Sequence, residues 1–317
     1  MKTILITGAA GNLGGLLAEH LKTEKSNLNL LTHKKDVNED LKNRDNIKIF
    51  KADLSDKNSL DESLKNADAI VHFAGILFKH NPENFLPITN TLYFKNLLEK
   101  SIEHKVKRVI LISFPHVEGK TTPENPAAER LDGKPDSVHA QTRLEEEKLL
   151  FTESKKHGFE AVSLRVGMVY GKGILMIDAA LWFAKHYLLG IWKKPTHIHL
   201  ISKIDFIEST KNAIIKEGIK GIYNIGDEGK QTLQEFFDDI TSYCGYKKPW
   251  RMPVWMIMLA ARIFEFFSML FGTRSPLTRD FVKIGMASYY GDTTRMRKEL
   301  LSELTYKTYK EGIETFK

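Results

Sequence analysis

Cysteine is nearly absent from the 317-residue chain, in which Cys244 stands alone. One thiol forms no internal disulfide and builds no multi-thiolate metal site, and such scarcity suits a reducing cytoplasm. A long apolar run near the N-terminus is also missing. Thr3-Ile4-Leu5-Ile6 gives way at once to Thr7-Gly8, well short of the roughly 7–15 apolar residues of an export signal. A cytoplasmic protein is expected. Internal repeats and low-complexity linkers are absent. Neither charge sign dominates: 47 Lys and Arg stand against 40 Asp and Glu, for a net charge of +7. That balance suits phosphate-bearing ligands, anionic lipid or nucleic acid, and alone selects none of them.

What is present is the composition of a globular protein. Apolar residues make up 42% and charged residues 27%, which excludes a disordered chain, a collagen-like chain and a polytopic membrane protein. The length suits two domains, or one large domain with an insertion. Short apolar runs at 3–6, 29–32, 48–51, 69–73, 108–112 and 161–165 read as strands. Amphipathic stretches at 13–22, 59–64, 88–104 and 141–157 lie among them and read as helices. This alternation predicts βαβ units and a doubly wound parallel sheet of the α/β class, with right-handed crossovers. Beyond Tyr170-Gly171 one further strand is expected at 221–225 and a helix at 232–243, with Thr232 and Glu235 at capping-box spacing. An amphipathic segment at 311–316 closes the chain.

Thr7-Gly8-Ala9-Ala10-Gly11-Asn12-Leu13-Gly14 follows the first expected strand and opens the first expected helix. Glycine at positions 8, 11 and 14 permits a tight turn. It lets backbone N–H groups near Asn12 and Leu13 approach a pyrophosphate and lets the helix pack closely on the strand. The strand–turn–helix context makes this a dinucleotide-binding (Rossmann) signature rather than a stray glycine motif. The end of the second strand carries Thr32-His33-Lys34-Lys35, with no acid to bind a ribose 2′-hydroxyl. Cations there suit a 2′-phosphate, so NADP(H) is the expected cofactor and NAD the alternative; Asp36 is the residue that could reverse the preference. A dinucleotide-binding domain is expected over 1–170, with a returning segment near 200–226. A smaller, mostly helical substrate lobe is expected over 171–199 and 227–317.

Taken together, these segments resemble an extended short-chain dehydrogenase/reductase of the NAD(P)-dependent epimerase/dehydratase group, over nearly the whole chain. Asp53-Leu54 resembles the family's adenine-contacting pair. Phe73-Ala74-Gly75, after His72, resembles the loop that lines the cofactor. Asn90 and Asn96-Leu97-Leu98-Glu99 resemble the central helix, and 107–113 the fifth strand. Leu164-Arg165-Val166-Gly167-Met168-Val169-Tyr170-Gly171 resembles the segment near the nicotinamide, with Val166 in place of a proline. The run from Pro253 to Gly312 is similar to the reductase and hydroxysteroid-dehydrogenase branch.

The resemblance implies a Ser/Thr, Tyr and Lys catalytic set, and here the chain departs from it. Glu147 resembles the glutamate four residues beyond the family's lysine. That register puts Arg143 at the lysine position and His139 at the tyrosine position, reading His139-Ala140-Gln141-Thr142-Arg143. Counting back from Val117-Glu118-Gly119 puts Phe114 at the usual hydroxyl position, with Ser113 one residue early. Two readings stay open. In the first, His139 is the acid/base group, with Ser113 the nearest hydroxyl and Arg143 holding cofactor ribose; imidazole titrates near neutral pH, whereas guanidinium shuttles no protons. Alternatively the site is catalytically silent and the chain is an NADP(H)-binding sensor or assembly factor.

Elsewhere the signals are weaker. His197 and His199 alternate as on a strand, but two histidines without a carboxylate make a poor metal site, and no metal is expected. Cys244 lacks a base partner. Lys247-Lys248 with Trp250-Arg251 is too short to imply nucleic acid. Residues 254–271 carry only Arg262, Glu265 and Ser268 among large apolar side chains, at a spacing that suggests one polar helical face. Three readings stay open for this stretch: a lobe core helix, the wall of a pocket for a lipophilic substrate, or a peripheral membrane contact over 253–271 flanked by Arg251 and Arg274. With the greasy segment 181–192, it favours an apolar small-molecule substrate. The leading expectation is an oxidoreductase acting on a carbonyl of such a substrate; a sugar-nucleotide epimerase or dehydratase ranks third. An oligomer stays open.

Overall fold

The computed structural model describes residues 2–76, 79–273 and 275–317. Five strands come first: β1 (Lys2–Thr7), β2 (Ser26–Thr32), β3 (Ile47–Lys51), β4 (Ala69–His72) and β5 (Arg108–Ser113). Next come β6 (Glu160–Val166), β7 (Met168–Tyr170), β8 (Gly190–Trp192), β9 (Leu200–Ser202), β10 (Gly221–Ile225) and β11 (Trp250–Met252). Seven of them form one sheet in the order β10-β6-β5-β4-β1-β2-β3, and every pairing in it is parallel. This is the doubly wound α/β sheet that the alternation of patterns predicts. The central strands are apolar on both faces: Ile4, Leu5, Ile6, Ile70, Val71, Ile110 and Leu111 are essentially inaccessible. Strands covered by helices on both sides need that continuous character.

The helices are α1 (Asn12–Leu21), α2 (Glu39–Lys42), α3 (Asp61–Leu64), α4 (Tyr93–Glu103) and α5 (Val138–His157), followed by α6 (Leu175–Lys185), α7 (Lys203–Ile215), α8 (Leu233–Tyr243), α9 (Val254–Leu270) and α10 (Arg279–Gly285). The capping box forms at Thr232 and Glu235 and opens α8. Ser137 caps α5 by accepting a bond from Ala140 N, so that helix starts three residues before the apolar periodicity does and takes His139 into its first turn. The π-helical turn Pro87–Leu92 precedes α4, so the stretch expected as one helix is two elements.

Some expectations fail for identifiable reasons. Helix α7 has no counterpart among the expected elements because its residues read as mixed, yet Ser202 caps it through Asp205 N, a local signal that was present in the sequence. His197 and His199 do not lie on a strand; β9 begins one residue later, at Leu200. His199 is instead buried, with Nε2 against the Asp227 carbonyl (2.7 Å) and Nδ1 accepting from Gly291 N (3.1 Å). The closing segment is only a short 3-10 turn, Ile313–Phe316.

Helix α9 gives the core only one side, through Ile257 and Ala261, and its polar residues do not share one exposed face. Glu265 and Ser268 are buried, whereas Arg262 is exposed. Each step of three residues falls about 60° short of a turn, so Arg262 and Ser268 point about 120° apart. Arg274 lies outside the described residues. One buried apolar cluster runs from Ile4 and Val71 through Tyr170 and Phe206 to Phe236 and Phe316, so sheet and lobe share a core.

Candidate active site

The β1–α1 turn is shaped by its glycines. Gly8 has φ +71°, and a Cβ there would lie 3.0 Å from Ala74 N, on the loop after β4. A Cβ at Gly14 would lie 2.5 Å from the Gly8 carbonyl. Glycine at 8 therefore allows both the left-handed backbone and the close approach of the two loops. Gly11 N donates to Gly8 O (2.8 Å), and no side chain caps α1. The first N–H groups of a ten-residue helix are thus left toward a ligand, which fits the pyrophosphate of a dinucleotide. Asn12 ties this turn to the far side of the cleft: it donates to Gly173 O (2.7 Å) and accepts from Leu175 N (3.0 Å). Leu13 packs against the core.

The strand ends beside this turn carry the remaining expected cofactor contacts. His33 and Lys34 are exposed past the end of β2. His33 Nε2 sits 3.6 Å from an Asp53 oxygen. Asp53 is held below the usual carboxylate range, chiefly by the Ser55 N–H bonded to it. Asp36 is exposed, and its charge acts on Lys42. Asn96 of α4 donates to Leu54 O (2.9 Å) and fixes the Asp53-Leu54 loop. Phe73 packs edge-on against Phe206. Val166 ends β6, largely buried.

Arg143 reaches from α5 to the loop after β4. Its guanidinium lies 3.5 Å from Ala74 O, and a Cβ at Gly75 would fall 2.6 Å from it. A side chain there would push the Arg143 guanidinium aside. Arg143 also pairs with Glu146 at 2.8 Å. Glu146 is wholly buried; burial pushes its carboxyl up to about 7, against the opposing charge of Arg143. His72, beneath the same loop, bonds Thr7 Oγ1 through Nδ1 (2.8 Å) and is driven down to about 3 by burial and then by Arg143, so it stays neutral. Three buried polar atoms around Arg143 and Gly75 have no partner among the described residues: Glu146 Oε1, Asn90 Oδ1 and His72 Nε2. Buried polar atoms are rarely left unpaired, so this wall fits a polar ligand such as the ribose of a dinucleotide.

One turn before Arg143, His139 is buried, and its Nδ1 lies 2.8 Å from Asp280 Oδ2 at the start of α10. A carboxylate accepts, so Nδ1 donates to it, and in the neutral imidazole Nε2 is the nitrogen that keeps the lone pair. That Nε2 is buried and unpartnered. Phe114 stands 6.4 Å away, ring to ring, and stacks in turn toward His116. His116 bonds Ala287 O through Nε2 (3.0 Å), and burial holds its pKa down. Asp280, Glu146 and His116 are the residues that sequence reasoning missed. Asp280 lies 141 positions from His139 and gives no local signal. Glu146 stands between Glu145 and Glu147, and nothing local distinguishes it from them.

Ser113 plays a different part from the one expected. Its hydroxyl donates to Glu147 Oε1 (2.6 Å), which also accepts from Ser163 (2.8 Å) and from Arg165 Nε (3.0 Å). Arg165 pairs further with Glu118 and donates to Arg130 O. Successive strand residues face opposite sides, so Ser113 points into this ion network while Phe114 points toward His139. Ser113 therefore holds the strands and α5 together.

A model of the NAD dependent epimerase/dehydratase family matches residues 4–184. The chain is 29% identical over 169 residues to a uronate dehydrogenase of Pseudomonas putida, covering 52% of this chain and 60% of that one. It is 29% identical over 260 residues to a UDP-N-acetyl-alpha-D-glucosaminuronate decarboxylase of Bacillus cytotoxicus, covering 75% and 79%. Among solved structures it resembles UDP-glucose 4-epimerase of Thermotoga maritima with UDP-glucose, at TM-score 0.79 and 18% identity over 99% of this chain and 96% of that one. It also resembles UDP-glucuronic acid 4-epimerase of Bacillus cereus in complex with UDP-glucuronic acid and NAD, at TM-score 0.75 and 18% identity over 99% and 97%.

Proposed function

Because the chain belongs to the NAD dependent epimerase/dehydratase family, and its relatives include a uronate dehydrogenase and an L-arabinose 1-dehydrogenase (NAD(P)(+)), we propose that it interconverts a hydroxyl and a carbonyl on a sugar-derived substrate. In this reading the His139–Asp280 pair stands in for the family's tyrosine. The carrying observation is the 2.8 Å bond between His139 Nδ1 and Asp280, with Nε2 buried and without a partner among the described residues.

The nicotinamide would accept or deliver the hydride. The proton is left to the protein. Asp280 fixes the tautomer, so that neutral His139 accepts a proton from a substrate hydroxyl at Nε2 during oxidation. Protonated His139 returns it to the oxygen during reduction. Arg143 holds cofactor ribose hydroxyls but keeps its own protons. The α1 N-terminus and the turn at Gly8, Gly11 and Gly14 hold the pyrophosphate. His33 and Lys34 favour a 2′-phosphate, and so NADP(H) over NAD. The lone cysteine suits work in the cytoplasm.

The apolar substrate gives way to a sugar for two reasons. Most of the greasy side chains of α9 are exposed to solvent. The curated relatives act on uronates, arabinose and UDP-sugars by name. The test follows nicotinamide absorbance with a panel of uronates, aldoses and UDP-sugars in both directions. Turnover that is lost in His139→Phe, with cofactor binding kept, supports the reading. Turnover that survives this change overturns the acid/base assignment. Cofactor binding without turnover on any of the panel supports a sensor instead.

A further inference from the structure

Helix α9 buries only a narrow side. That side carries Ile257, Ala261, Glu265 and Ser268, and Glu265 accepts from Arg279 N (2.8 Å) and Arg279 Nε (2.7 Å). Its outward side carries Trp255, Leu259, Ile263, Phe266, Phe267 and Phe271, all exposed; Trp255 is 66% and Phe271 69% accessible. The positions 255, 259, 263 and 266 repeat as one helical stripe. The stripe continues into neighbouring elements. Strand β11 pairs with β8, Trp250 Nε1 donates to Tyr187 O (3.0 Å), and Phe183 packs on Phe264. Trp182, Tyr187, Leu188 and Trp250 are exposed there as well. A surface this apolar is rare on a free monomer and marks a docking face.

The charge around the stripe says what docks. Segments 182–194 and 247–273 contain one acid, the buried Glu265. They carry Lys185, Lys193, Lys194, Lys247, Lys248 and Arg262, all exposed, with no ion-pair partner among the described residues. Arg251 is also exposed but is neutralised by Asp238 at 2.7 Å. A second copy meeting this face across a two-fold axis would set these cations against one another. An anionic bilayer surface complements both parts: lipid phosphates meet the lysines, and acyl chains meet the stripe. Exposed Trp and Tyr beside the apolar residues are suited to the headgroup level. The helix has 17 residues, and among the described residues no helix is long and apolar enough to cross a membrane. A helix of this kind suits a position in the interface plane. We propose that α9, with the β8–β11 edge, docks the protein on an anionic membrane surface.

The test is flotation of the full chain with vesicles of phosphatidylcholine alone and of phosphatidylcholine with about a third phosphatidylglycerol. The expected result is co-flotation with the anionic vesicles, at least about tenfold above the neutral ones, weakening with salt. Phe266→Ser with Phe267→Ser should lower binding by about tenfold or more, and so should Lys247→Glu with Lys248→Glu. Thermal melts confirm that the variants are folded. Tryptophan emission should shift to the blue on binding in the parent chain and less so in Trp255→Phe. No flotation with either vesicle overturns the proposal. Concentration-dependent dimerisation that Phe266→Ser removes, without flotation, assigns the face to a second copy instead.

Discussion

At the β1–α1 turn, every group given a cofactor role lies within Gly8–Gly14 and works through its backbone. At the start of α5, the roles fall to side chains whose partners stand far away in sequence, 141 positions in the case of His139 and Asp280. The first end depends on conformational freedom, which only glycine supplies and which any reader of the sequence can see. The second depends on a lobe folding back over the sheet. A dinucleotide's phosphates are recognised alike by many chains, so that end keeps a local signature. Proton transfer needs one group placed to within a few tenths of an ångström, and any element that reaches the cleft can supply its support.

This contrast can be broken most forcefully at His139. His139→Phe is expected to lower turnover by about 10²–10⁴-fold, the range for a general acid or base, with cofactor affinity unchanged. Steady-state rates beside a cofactor titration check it. Asp280→Asn should lower turnover less and shift its pH profile, since the tautomer is no longer fixed. Equal loss in cofactor binding for either variant would show that the two ends are not separable.

The next effect concerns what holds α5 in place. Glu147 and Arg165 are both wholly buried and paired at 2.7 Å. Glu147→Ala leaves Arg165 short of its main partner, and breaking such a pair destabilises by about 3–5 kcal/mol. Chemical denaturation measures it. A loss under about 1 kcal/mol would mean that Glu118 and Arg130 O satisfy Arg165 without help.

The third effect is a pH slope at the Arg143 wall. Glu146 ionises near 4.5 when unfolded and near 7 when folded. Between those values the folded state holds the extra proton. Its stabilising contribution is therefore complete below about pH 4.5 and declines by about 3 kcal/mol as pH rises through 7. Glu146→Gln should flatten that part of the stability profile, as thermal melts across pH 4 to 8 would show. A parallel profile in the variant would mean that Arg143 keeps Glu146 charged throughout.

The smallest effect lies back at the glycine end. Lys34→Glu should shift the NADPH-to-NADH affinity ratio by about tenfold toward NADH, read by fluorescence titration of both. An unchanged ratio would leave His33 as the selecting group. Gly11→Val, by contrast, tests less cleanly than the sequence suggests, because a Cβ there would lie 2.9 Å from Gly8 O and disturb the turn itself.

The sequence by itself determined the sheet, the glycine turn and the departure from the family's catalytic residues. Strand periodicity, helix caps and glycine spacing act over a few residues, so they are written locally. The register that placed His139 and Arg143 one turn apart needed only the count along α5. Tertiary structure decided the rest. It turned Ser113 into a partner of Glu147, because strand alternation sends adjacent residues to opposite faces. It brought Asp280 to His139 and buried Glu146 against Arg143. It also turned most of the apolar side of α9 outward, which composition could not reveal: a run of large apolar residues reads the same whether it faces a core or the solvent, and the contacts of Ile257 and Ala261 with the core and of Glu265 with Arg279 fix which way the helix is rotated.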